Sequence, residues 1–167
     1  MARSFSAGSS QYLETSSFAS AATLPVTVAA WLRPDSTSGF QRAVSWTTGA
    51  GSVCAASLLL NYHGAGQLSN QVLGGSASVL PTASGTFSAG SWCHAAVVTD
   101  ATAARAYLNG AAGSDATYSS ATLTSTTYLS VGRIISTQYY SGRVAELGIW
   151  SVALSAAEVG ALADGYS

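Results

Sequence analysis

Val26-Thr27-Val28-Ala29-Ala30-Trp31-Leu32-Arg33-Pro34 is the stretch that decides the fold. Val26, Val28, Ala30 and Leu32 fall on one face of an extended chain, and Thr27, Ala29, Trp31 and Arg33 on the other. A period of two is that of a β-strand, whose successive side chains point to opposite faces. Pro34, followed by Asp35, ends the strand.

The same alternation recurs on both sides of it, broken by Gly, Ser and Asn. Further strands are expected over 42–46, 53–61, 67–73, 92–99, 105–108, 128–133 and 142–150. In the second of these Leu58, Leu59 and Leu60 are consecutive, as in a strand buried on both sides, and Leu68 and Val72 point inward from the next. His63-Gly64-Ala65-Gly66 reads as a turn, and so does 100–104. Asn109-Gly110 is the strongest hairpin dipeptide. Gly49-Ala50-Gly51 and Gly74-Gly75 are tight turns that precede no helix, so neither is a phosphate cradle. The Ser/Thr-rich stretch 114–127 reads as a long loop or a polar edge strand. One helix is expected, from Ser155 to Asp164: Ser155 and Glu158 form a capping box, Val159 and Leu162 give an apolar stripe, and Gly165 ends it. Many short strands with regular turns mean a sandwich or a barrel. No linker or repeat divides the chain, so residues 1–167 are expected to form a single domain. A chain of this length buries roughly 70% of its unfolded surface, which is enough for a two-sheet core.

Only 8% of the residues are charged, against about 25% in an average domain. Lysine is absent, the six cations are arginines, and the net charge is -1. Such a surface has no field to gather phosphates, which argues against nucleic acid and anionic membranes as partners. A nearly uncharged polar surface suits dense packing beside identical copies; a codon bias toward Ala, Gly and Arg would produce the same composition. The N-terminal residues lack the apolar core of a signal peptide, and no apolar run reaches the roughly 20 residues that span a bilayer. Cytosolic synthesis is therefore expected. The spacing of Cys54 and Cys93 fits no zinc pattern, and in a reducing cytosol they are expected as buried free thiols.

Several of these blocks resemble laminin-G-like domains. Phe5-Ser6 to Gln11-Tyr12-Leu13-Glu14 is similar to the first strand of that family, and 26–34 to its "aWvrp" strand. Gly90-Ser91-Trp92-Cys93-His94-Ala95-Ala96-Val97 resembles "gxWxhva", and Arg105-Ala106-Tyr107-Leu108-Asn109-Gly110 resembles "lYlnG". Leu129-Ser130-Val131-Gly132 resembles "lxiG", and 142–150 with Ala153-Leu154-Ser155 and Glu158 resembles the closing segment. The blocks run in family order over nearly the whole chain. The resemblance implies an all-β, two-sheet antiparallel jelly-roll sandwich of the concanavalin A-like kind, shared by pentraxins and legume lectins, with one short C-terminal helix. Ala145 stands where the family often has Asp. Ala29 or Ala30, and Ala96, stand near the pentraxin cysteine positions. Neither the calcium site nor the disulfide carries over.

Glucanases on this fold place carboxylates on alternate residues of one strand, so that acid and nucleophile face one groove. Here no two of Glu14, Asp35, Asp100, Asp115, Glu146, Glu158 and Asp164 lie two apart, so no catalytic residue is assigned. Glu146 is expected as a rim or cross-sheet carboxylate and His94 as a packed, hydrogen-bonded histidine on the face of Trp92, Ala96 and Val98. His63 is expected to be solvated. No cofactor is expected. A bound calcium would need six to eight oxygens, for which Asp100, Asn109 and Asp115, near turns at one rim, are the weak candidates. Sugar or partner contacts call for exposed aromatics beside polar groups: Trp46, Tyr62, Tyr139 and Tyr140, with Arg143 beside the last two. Trp31, Trp92 and Trp150 are expected in the core or on a sheet face.

Two functions follow as expectations, neither of them enzymatic. The first is a decoration or accessory protein on a virus (phage) capsid, contacting capsid protein and copies of itself at the virion surface after synthesis in the host cytoplasm. It is suggested by the starting Met, a lone domain, no signal peptide and sparse charge. The second is an extracellular carbohydrate-binding lectin module, suggested by the fold.

Overall fold

The two faces of residues 26–34 meet different neighbours, and this organises the molecule. The computed structural model describes residues 1–18, 24–48, 54–74, 77–118, 128–134 and 137–165. Its strands are β1 (Arg3–Phe5), β2 (Leu13–Thr15), β3 (Val26–Pro34), β4 (Gln41–Thr47), β5 (Cys54–Leu60), β6 (Leu68–Asn70) and β7 (Val72–Gly74). They continue with β8 (Ala77–Val79), β9 (Cys93–Thr99), β10 (Ala103–Leu108), β11 (Ala111–Ala112), β12 (Ala116–Thr117), β13 (Tyr128–Val131) and β14 (Gly142–Trp150), followed by helix α1 (Ala156–Ala163).

Two antiparallel sheets stack. The first has the order β1-β14-β3-β9-β10-β11, with β12 also on β10. The second has the order β2-β13-β4-β5-β7-β8, with β6 also on β5. This is the jelly-roll sandwich that the strand pattern implies. Val26, Val28, Ala30 and Leu32 face the space between the sheets, where they meet Val44, Trp46, Leu58 and Leu60 of the second sheet. Ala29, on the opposite face of β3, joins Ala96, Val98 and Tyr107 in a second cluster under the helix, which contributes Val159. Burying Val159 completely stabilises the docked helix by about 1.5–3 kcal/mol. The helix starts at the expected capping box: the Glu158 amide donates to Ser155 Oγ, and the Glu158 carboxylate accepts from the Ser155 amide at 2.7 Å.

The segment expected as one opening strand is two. A short 3-10 turn at Ala7–Ser9 separates β1 from β2, and the chain changes sheet there: β1 pairs with β14 and β2 with β13. The return strand expected over 67–73 likewise splits into β6 and β7 around Gln71. Asn109 and Gly110 both take positive φ, 50° and 78°, the requirement of a two-residue hairpin turn. The turns expected at 49–51 and at Gly75, and residues 119–127 of the stretch 114–127, lie outside the described residues.

Candidate functional site

With the helix on the first sheet, the outer face of the second sheet carries a row of polar side chains. Glu14, Ser130, Ser45 and Ser57 stand opposite one another across β2, β13, β4 and β5. Their neighbours Leu129, Val131, Trp46 and Leu58 turn into the core, so alternation sends this row outward. Small hydroxyls leave room for backbone to approach. Residues 132–134 and 137–140 fold back against each other, with the Tyr140 amide donating to the Gly132 carbonyl at 2.8 Å, and lie against this face. Ser45 Oγ donates to the Arg133 carbonyl at 2.9 Å, and the Gly132 amide donates to the Ala43 carbonyl at 2.8 Å.

Arg42 ties this segment down from below. It is 3% exposed. Its Nε donates to Gln138 Oε1 and one terminal nitrogen to Ser57 Oγ, both at 2.8 Å. The other terminal nitrogen donates to Gln71 Oε1. Burial pulls the guanidinium pKa down, and the Cys54 side chain works the other way. An arginine starts so far above neutrality that Arg42 remains a cation.

A second tie crosses the row. Ser130 Oγ donates to a Glu14 carboxylate oxygen at 2.7 Å, and Arg133 donates to the same oxygen at 3.1 Å. The Arg133 guanidinium lies 3.3 Å from the Tyr12 ring centroid, a cation–π stack. Burial lowers the Arg133 pKa, but bonds to Tyr139 and Glu14 outweigh it and raise it overall. At the β4–β5 end of the sheet three aromatic rings gather. Phe40 and Tyr62 have centroids 5.2 Å apart with planes tilted by 35°, and Tyr62 meets His63 edge-on at 5.0 Å. Phe40 is 54% exposed and Tyr62 41%.

The contact residues expected from the sequence divide. Tyr62 is exposed and belongs to the aromatic corner. Tyr139 is half-buried beside Arg133, and Arg143 is exposed but belongs to β14 of the first sheet. Tyr140 is a correction: it is 0% exposed, and its hydroxyl donates to the Arg143 carbonyl at 3.2 Å, because the segment before β14 turns inward rather than looping into solvent. Trp46 is a second correction: alternation in β4 points it into the core, where Phe18 meets it edge-on. Trp92 precedes β9 and is 42% exposed. His94 is buried on the outer face of the first sheet, edge-on to Trp31. Burial lowers its pKa and the Glu146 charge opposes the shift. Glu146 is exposed at φ 52°, in a bulge of β14.

The weak calcium candidates do not converge. Asp100 and Asp115 line one hollow of about 130 Å³, together with Arg105 and Tyr107, but the Asp115 carboxylate pairs with the Arg105 guanidinium. Asp100 Oδ1 accepts from the Thr102 and Ala103 amides at 2.7 Å. Asn109 lies at the far end of β10, about 20 Å away for a six-residue strand, and its Oδ1 accepts from the His94 amide at 2.9 Å. Among the described residues, no three His, Cys, Asp or Glu side chains gather around a point.

Phe40, Tyr12, Arg42 and Gln138 are surface and anchoring residues that sequence reasoning missed. Phe40 was masked by the Ser-Gly stretch before it. Arg42 and Gln138 are 96 positions apart and carry no joint local signal.

A family model described as the concanavalin A-like lectin/glucanases superfamily matches residues 7–160. No curated protein matches the chain in sequence. Among solved structures, a heptameric SAP-like pentraxin from Limulus polyphemus superposes with a TM-score of 0.71 at 17% identity, covering 91% of this chain and 75% of that one. Domain 4 of an extracellular GH43 arabinanase from Geobacillus stearothermophilus, in complex with arabinotriose, gives 0.70 at 21% identity, covering 87% and 68%. Domains LG4-5 of the mouse laminin α1 chain give 0.73 at 17% identity, covering 92% of this chain and 43% of that one.

Proposed function

Because the chain belongs to the concanavalin A-like lectin/glucanase superfamily, we propose that it is a non-catalytic carbohydrate-recognition module. The observation that carries this reading is the state of its carboxylates. Glycoside hydrolysis needs two of them facing one groove, about 5–10 Å apart. Glu14 is held by Arg133 and Ser130, Asp115 by Arg105, and Asp35 lies 4.0 Å from Arg33. Asp100 and Glu158 cap backbone amides. Glu146 and Asp164 remain, one in β14 of the first sheet and one at the C-cap of α1. The helix-free face offers amides, hydroxyls and aromatic rings instead, the groups that bind sugars without cleaving them. The arabinanase domain seen with arabinotriose supports the same reading. The test is a glycan array followed by calorimetry on the hits, with the same glycans incubated and checked for cleavage. Binding without turnover is expected; turnover would overturn the non-catalytic assignment.

The sparse charge favours a second reading, a multi-copy component at a virion surface in contact with capsid protein and with copies of itself. Of 167 residues only 13 carry charge, six basic and seven acidic, so identical copies pack side by side with little like-charge repulsion. Size-exclusion chromatography with light scattering, and pull-down on purified particles, test it. A strict monomer that binds no particle would overturn it.

A further inference from the structure

We infer that the corner formed by Phe40, Tyr62 and His63 is a stacking subsite for uncharged oligosaccharides; this rests on the carbohydrate-recognition reading above. Its base is rigid. Asn61 is 5% exposed and sits at φ 65°, a conformation that asparagine tolerates better than most residues. From there its side chain holds both loops at once: Nδ2 donates to the Gly39 carbonyl at 3.1 Å, and Oδ1 accepts from the Gly66 amide at 2.9 Å. The Asn61 amide donates to the Gln67 carbonyl at 2.8 Å, and the Phe87 amide donates to the Gly66 carbonyl at 2.7 Å. Gly66 has φ 75°, and a Cβ there would stand 2.6 Å from the Phe87 carbonyl oxygen, so the turn tolerates no side chain at that position. On the other loop Gln41 Nε2 donates to the Ser38 carbonyl at 3.2 Å. Phe40 and Tyr62 are thus held beside each other by buried polar groups, while the rings themselves stay half in water. A pair serving only the core would be buried.

The size and charge of the corner choose its occupant. With full areas of 150–250 Å² each, the exposed parts of the two large rings total on the order of 200 Å². That is well below the roughly 800 Å² per partner of a stable protein interface, and it matches one or two sugar rings. The apolar faces of sugars stack on aromatic rings, and their hydroxyls need polar groups alongside. Ser36 and Ser38, four and two residues before Phe40, supply hydroxyls 2.9 Å from each other. Neither Ser36–Phe40 nor Asn61–Gly66 contains a carboxylate or a guanidinium, which favours neutral over acidic glycans.

The experiment compares the protein with its Phe40→Leu, Tyr62→Leu and Trp92→Ala variants. Leucine keeps apolar volume but removes the flat face, and all three positions are exposed, so unchanged melting confirms that each variant folds. Probes are arabinotriose, cellotetraose, maltotetraose and a sialylated lactose, read by calorimetry and by aromatic chemical-shift changes. A neutral probe is expected to bind and to lose roughly three- to tenfold in affinity with each ring removed, with Trp92→Ala neutral. Binding that survives both leucine variants would overturn the subsite and leave the module reading standing. Binding of the sialylated probe alone would overturn the preference for neutral glycans. Self-association abolished by the same variants would make the corner a protein contact and overturn the proposal. No binding of any probe, on the array or in solution, would overturn both readings.

Discussion

Gln138 accepts twice from Arg42, through its side-chain amide oxygen at 2.8 Å and through its backbone carbonyl at 2.9 Å. A single buried residue, through its guanidinium and its backbone amide, therefore fixes both the position and the orientation of the segment that covers the second sheet. Arg42→Met would keep most of the stem and the backbone bond to Gln138, but leave Gln138 Oε1, Gln71 Oε1 and Ser57 Oγ without the guanidinium donor. Losing the hydrogen bonds of a buried charge typically costs about 3 kcal/mol. Urea unfolding should show a loss of that order, and amide exchange should quicken first in 132–140. A loss below 1 kcal/mol with unchanged exchange would show that other contacts hold the segment.

His94 makes stability depend on pH in a defined window. Burial depresses its pKa against the opposing Glu146 charge, so the unfolded chain binds the proton more tightly and stability rises with pH. The contribution is complete above the unfolded value of about 6.5 and is lost as pH falls from there through the folded value. Thermal melts at pH 7.5, 6.5, 5.5 and 5.0 should decline. His94→Asn should flatten that decline, and Glu146→Gln should steepen it. A wild-type profile flat from 7.5 to 5 would contradict the assignment.

Cys54 and Cys93 are both buried and free. Burial raises both pKa values, that of Cys93 to about 12, so the reactive thiolate is scarce in the native protein. A thiol reagent should leave the native protein nearly unlabelled and count two thiols after denaturation without reductant. A linked peptide pair in the mass spectrum would refute this.

Chelation should shift the melting temperature by less than a degree. A resident ion would add RT ln(1 + [L]/Kd) to stability, and the carboxylates at Asp100 and Asp115 are already occupied by backbone amides and Arg105. A fall of several degrees in EDTA would reveal a bound cation.

Local patterns carried much of this fold. The reading of β14 over 142–150 and of β3 over 26–34 needed only alternation and a bounding Gly or Pro, and the helix needed only Ser155 and Glu158. Contacts between distant segments were not legible. Tyr140 follows a polar stretch that reads as exposed loop, and it is buried because Arg42, far away in the chain, pulls that stretch onto the sheet. The opening segment reads as one strand, but the turn at Ala7–Ser9 hands it from one sheet to the other. Of the aromatic corner the sequence shows Tyr62 and the solvated His63 but not Phe40, which comes from a different loop and is joined to them through Asn61.

The pairing of Arg33, Arg105 and Arg133 with Asp35, Asp115 and Glu14 also bears on the speed of encounter. Charges cancelled within a few ångströms project little potential beyond one Debye length, about 8 Å in physiological salt. A ligand approaching this domain is therefore neither drawn in nor turned away. Its arrival rate stays near the unsteered 10⁵–10⁷ M⁻¹s⁻¹ typical of docking to a specific patch and changes little with ionic strength. Differences in affinity between ligands must then lie in how long each one stays, and many copies side by side would prolong that stay by giving a released ligand a neighbour to rebind.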